Sequence, residues 1–202
     1  MAPLVAQRPC LDRHEPEMKR DLELVTGWLL QASEQVPAEY IQVPVAGFKE
    51  PAYRERVYCY ELYHRWRCHW AAGFPFSLSG EVDKQGHPLI REGPKPDFLV
   101  HVPGRMSNLL VVEVKSKNSA VDKMRDDLEK LTRFRRDLSP GHVNAGNYHA
   151  AYFWVYGLSS EDWPTFREEL LGAKPPVGFD PALVTCFLHE GAGRKALQVA
   201  WE

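Results

Sequence analysis

Two short apolar runs, PDFLVHV at 96–102 and NLLVVEVK at 108–115, constrain this chain more than any other feature of it. Nearly every position in them is aliphatic or β-branched, so neither has the wet face of a half-exposed strand. Strands of that kind are covered on both sides, which calls for a sheet with helices packed above and below. The intervening Pro103-Gly104-Arg105-Met106-Ser107 is turn chemistry, so the two runs are predicted to form an antiparallel hairpin.

The flanking sequence supplies the helices. Apolar spacing predicts a first helix over 15–35, with Leu22, Leu24, Val25, Trp28, Leu29 and Leu30 as its stripe. A second is predicted between about Pro51 and Trp70, with Pro51 in its first turn and Gly73 past its end. The stretch between them, Val36 to Gly47, reads as a loop or irregular strand. Ser77–Asp83 and His87–Ile90 flank a Lys84-Gln85-Gly86 turn and read as a hairpin. Residues 119–138 repeat Val121, Met124, Leu128, Leu131 and Phe134 at helical steps. A strand at 149–157, a helix over about 160–171, and strands at 183–189 and 195–201 complete the chain. The order predicts an α/β fold: one domain over residues 1–202, a central mixed sheet flanked by helices, with a core at about 53–157 and extensions on either side.

Composition excludes little. The 202 residues are 44% hydrophobic and 26% charged, as in ordinary globular proteins. A formal charge of −2 gives no overall pull toward a polyanion, so any nucleic-acid surface has to be local. No stretch is apolar enough for a membrane helix, and Met1–Pro9 lacks the pattern of a secretory signal. Together with four scattered cysteines, Cys10, Cys59, Cys68 and Cys186, this predicts a cytoplasmic protein with reduced thiols.

Chemistry enters through the hairpin register. With Val102 opposite Asn108, Asp97 falls opposite Glu113. Period-two alternation then groups Asp97, Leu99 and His101 with Leu109, Val111, Glu113 and Lys115 on one face. Two carboxylates opposed across a strand pair repel. Lys115 offsets part of that charge, and a divalent cation chelated by both acids offsets it more completely. Oxygen ligands without Cys or His select magnesium or manganese over zinc. Such a cluster suits phosphodiester hydrolysis, with Lys115 orienting the attacking water or balancing charge at phosphorus.

Pro96-Asp97 followed by Glu113-Val114-Lys115 at the end of an apolar strand, and then by a helix, closely resembles the PD-(D/E)xK nuclease superfamily, over about residues 53–157. The resemblance implies a restriction-endonuclease-like fold and a magnesium-dependent nuclease, with manganese able to substitute, acting on DNA. It implies that Asp97, Glu113 and the Val114 carbonyl hold the metal and that Lys115 is the catalytic lysine. It implies a further carboxylate from an earlier helix, for which Glu61 is the candidate and Glu81 its rival. It also implies a basic or polar residue from the helix after the catalytic strand, for which Lys123 and Lys130 are candidates.

Weaker signals carry two readings each. Arg54, Arg56, Arg65 and Arg67, with Lys130, Arg133, Arg135 and Arg136, could hold phosphates on either side of the cut, or form solvated helix faces with pairs such as Asp126–Lys130 and Glu129–Arg133. Tyr53, Tyr58, Tyr60, Tyr63 and Trp66 could stack on bases, but core packing is the stronger expectation. Cys59, His64, Cys68 and His69 crowd one helix without a second ligand pair for zinc. The absence of an accessory DNA-reading domain points to recognition of nucleic-acid structure, or to help from a second copy or a partner protein. A non-cutting, nucleic-acid-binding or regulatory subunit on the same fold is the alternative reading.

Overall fold

A computed structural model describes residues 15–80, 95–105, 107–136, 148–173 and 175–202. Its centre is a six-stranded mixed sheet in the spatial order β1-β2-β3-β4-β5-β6, formed by β1 (Ser77–Gly80), β2 (Phe98–His101), β3 (Asn108–Ser116), β4 (Tyr148–Tyr156), β5 (Thr185–His189) and β6 (Leu197–Val199). β1 to β3 run antiparallel, β3 to β5 parallel, and β6 returns antiparallel. Among the described residues five helices accompany it: α1 (Glu15–Glu34), α2 (Ala38–Ile41), α3 (Glu55–Cys68), α4 (Val121–Arg135) and α5 (Trp163–Leu171).

The predicted double coverage of the central strands is realised, and every residue of β3 is buried. Phe98, Val100, Leu110, Val112 and Val114 pack with Val25, Leu29, Tyr58, Leu62 and Trp66 of α1 and α3 on one face. Leu99, Val111, Phe153 and Val155 pack with Met124, Leu128 and Leu131 of α4, and with Leu170 of α5, on the other. Successive positions from Phe98 to Val100 and from Leu110 to Val112 thus alternate between the two cores, as the pleat requires.

The register agrees with the sequence expectation where it matters and departs at the turn. Phe98 pairs with Val112, Leu99 with Val111 and Val100 with Leu110, whereas a bulge sets His101, not Val102, opposite Asn108. Leu109 is the additional residue, and it joins the α1/α3 core instead of sharing a face with Val111. β1 pairs with β2, Gly80 facing Phe98. The predicted turn at 84–86 and strand at 87–90 lie outside the described residues.

Three further expectations need correction. Pro51 is not helical, because Ala52 is held extended by a two-way bridge to Val43, with both N–H···O bonds at 2.8–2.9 Å, and α3 starts only at Glu55. α2 occupies part of the stretch read as a loop. On α1, Leu24 is 44% exposed, since Val25, Leu29 and Ala32 set the phase of the buried stripe. No helix among the described residues is long and apolar enough to cross a membrane.

Candidate functional site

β2 begins at Phe98, so its ladder with β3 stops at Val112 and the end of β3 extends past it. Asp97 continues the contact with its side chain: Oδ2 accepts the Val114 N–H at 2.7 Å. Pro96 precedes it with no N–H to offer, which leaves the backbone groups of β3 beyond Val112 to a side chain. The N–H and C=O of one strand residue point to the same edge, so the Val114 carbonyl is also aimed past the start of β2. Lys117 confirms the alternation, its N–H reaching Tyr156 O on the opposite edge.

Glu113 and Lys115 stand on the α4 face of β3, only 4% and 7% exposed. Two charged groups at that depth need partners, and besides each other they have Glu55, Asp127 and Lys130. Lys115 Nζ lies 3.4 Å from Glu113 Oε1, 3.1 Å from Asp127 Oδ2 and 3.4 Å from Glu55 Oε2. Lys130 Nζ lies 3.0 Å from Glu113 Oε2 and 2.6 Å from Asp127 Oδ1. Glu113, Lys115, Asp127 and Lys130 therefore form a closed ring of alternating charge. Beside it, Glu55, Arg56, Lys95, Asp97 and Glu113 line a cleft of about 390 Å³.

Burial raises the Asp97 carboxyl to about 6, against Lys115 and the Val114 N–H, which lower it. Burial and the facing Asp97 raise Glu113 to about 8, against the pull of Lys130 and Lys115. For Lys115, burial favours the neutral amine, but Glu113, Asp127, Asp97 and Glu55 together hold it above the ordinary lysine range. Four carboxyl groups, Glu55, Asp97, Glu113 and Asp127, crowd around Lys115 and Lys130, with Arg56 and Lys95 on the cleft wall, and burial resists the ionisation of Asp97 and Glu113.

Such a setting suits a hard divalent cation. Among the described residues no three His, Cys, Asp or Glu side chains gather tightly enough to hold a metal by themselves. The donors present, Asp97, Glu113 and the Val114 carbonyl, still fit magnesium, which is commonly held by one or two carboxylates and keeps several waters.

The structure brings Asp97, Glu113, Lys115 and Lys130 together and leaves other predicted residues apart. Glu61 is bound to Arg65, with Nε 2.6 Å from Oε1, and does not line the cleft. It lies six positions after Glu55, which turns it about 240° away around the helix. The acid that α3 presents is Glu55. Arg65 is accordingly occupied as well. Lys123 shares a helix face with Asp127 and Lys130 by spacing and is exposed, and Arg133 is half-buried. Arg135 donates to the Tyr148 and His149 carbonyls at the start of β4, which makes it a structural anchor. Lys130 pairs with Asp127, not Asp126. Tyr58 and Trp66 are core residues, and Tyr60 is 61% exposed. His101 sits by the turn, its Nε2 3.4 Å from Ser79 Oγ. Cys59 is buried and Cys68 exposed, on different sides of α3. Glu81 lies outside the described residues.

Glu55 and Asp127 carry a signal that the sequence reading passed over. Glu55 is in phase with the buried Cys59, Leu62 and Trp66, and Asp127 with Met124 and Leu131. An acid on a helix stripe that is otherwise apolar needs a buried partner. Comparison with protein-family models, curated proteins and solved structures finds no match to this chain.

Proposed function

We propose that this protein is a magnesium-dependent nuclease that hydrolyses DNA phosphodiester bonds at the Asp97–Glu113–Lys115 cleft, on a restriction-endonuclease-like arrangement of the mixed sheet. The observation that carries this reading is the Asp97 to Val114 hydrogen bond. It ties one acid to the strand end from which the second acid and the lysine project.

Asp97, Glu113 and the Val114 carbonyl would hold the ion. Bound there, magnesium supplies charge neutralisation at the phosphate and eases ionisation of a water. Lys115 keeps its proton, since the surrounding acids favour the ammonium form. It therefore acts by orienting the water and offsetting charge on phosphorus, not as a base. Arg56 and Lys95, which line the cleft wall, would steady neighbouring phosphates.

Supercoiled plasmid and single-stranded DNA, incubated with the protein and magnesium, should be cut, and a chelator should stop it. Lys115→Ala should slow cutting roughly 10²- to 10⁴-fold. No cutting of DNA or RNA with magnesium or manganese, with Lys115→Ala indistinguishable, would end the enzymatic reading.

The closed charge ring favours one second reading. Both Glu113 oxygens already have ammonium partners, as in a scaffold that binds nucleic acid or a partner protein without cutting. Binding that is indifferent to magnesium would support it.

A further inference from the structure

We propose that Lys130 is a built-in counter-ion, holding the divalent ion's place at Glu113 until the ion arrives, and that Asp127 then takes over its ammonium group. This rests on the divalent-ion reading above and adds a competition to it. Glu113 Oε2 lies 3.0 Å from Lys130 Nζ, and the two side chains are only 5% and 16% exposed, so water cannot readily replace either partner. A cation bound to that oxygen and an ammonium group 3 Å from it repel strongly in so dry a place. One of them has to yield.

The geometry supplies the exit. Asp127 Oδ1 is 2.6 Å from the same ammonium group, and the two residues are three apart on α4. Their pairing depends on one helix and survives loss of Glu113 as a partner. Asp127 Oδ2 also holds Lys115 at 3.1 Å. Transfer of Lys130 therefore keeps both lysines beside the cleft and frees one carboxylate oxygen for the ion.

The test is manganese binding to the full chain by calorimetry, without nucleic acid. Lys130→Met removes the competitor and keeps a long apolar stem, so affinity should tighten roughly tenfold. Lys130→Arg keeps the charge and should bind within about threefold of wild type. Asp127→Asn removes the negative charge that receives the ammonium group and should weaken binding several-fold. Unchanged or weaker binding by Lys130→Met, with native near-ultraviolet circular dichroism, overturns the proposal. Asp97→Asn separates this from failure of the site itself. If it abolishes binding while Lys130→Met leaves affinity unaltered, only the counter-ion role falls. If wild type binds no manganese, or Asp97→Asn binds equally well, the ion site falls and the proposal with it.

Discussion

Asp97 has two duties that substitution can separate. Its carboxylate satisfies the Val114 N–H, while its charge is disfavoured by burial. Asn keeps an acceptor oxygen and discards the charge; Ala discards both. Asp97→Asn should therefore unfold in urea at or above the wild-type midpoint at pH 7.5. Asp97→Ala should fall about 1–3 kcal/mol below Asp97→Asn, the cost of an orphaned buried donor. Glu113 yields a pH prediction. Its folded carboxyl, at about 8, binds a proton more tightly than the unfolded chain does at its ordinary 4.5. In the ion-free protein this contribution to stability is present below about 4.5 and lost as pH rises toward 8. A divalent ion removes the proton's role, so the rise in Tm with magnesium should be larger at pH 8.5 than at pH 6. An equal rise at both would show that Glu113 is not a ligand.

Helices α3 and α4 each bring one acid to the site, a part-exposed Glu55 and a more enclosed Asp127, and their phase decides which. Glu55→Gln should reduce cleavage at least tenfold more than Glu61→Gln, because Glu55 reaches Lys115 and Glu61 only Arg65. Steady-state cleavage of one oligonucleotide by both variants decides between them, and equal losses would return the role to Glu61. On α4, Leu128 is fully buried on the stripe behind Asp127 and Lys130. Leu128→Ala should cost about 2–5 kcal/mol of folding free energy, measured by urea unfolding.

Across the molecule, one polar junction fastens α3 to the sheet. Trp154 Nε1–H of β4 donates to Tyr58 Oη at 2.8 Å, leaving the Tyr58 proton for His189 Nδ1 of β5, 2.7 Å away. Tyr58 also stacks on Tyr156, ring centroids 4.0 Å apart. Burial lowers His189 to about 4 from its ordinary 6.5. The unfolded chain therefore takes up a proton first, and stability declines as pH falls from about 6.5 to about 4. The loss should reach on the order of 3 kcal/mol, and His189→Gln should flatten that limb in denaturation between pH 7.5 and 4.5. Much of the plan was legible beforehand. Apolar residues at nearly every position of 98–102 and 108–114 dictate a doubly covered pair, and period-two alternation predicts the register of Phe98 with Val112, although the bulge at Leu109 left no mark in the sequence. Such short-range regularities depend on backbone geometry alone. The phase of Glu55 on the α3 stripe marks it as an acid facing the sheet, but that it meets Lys115 was not legible, because the partner depends on how α3 docks. The bridge from Val43 to Ala52 sets where α3 begins, and the Tyr58 junction sets its rotation. Nor could spacing reveal the ring of Glu113, Lys115, Asp127 and Lys130. Its members lie on two elements, and buried ion pairs form only where packing excludes water from both partners at once.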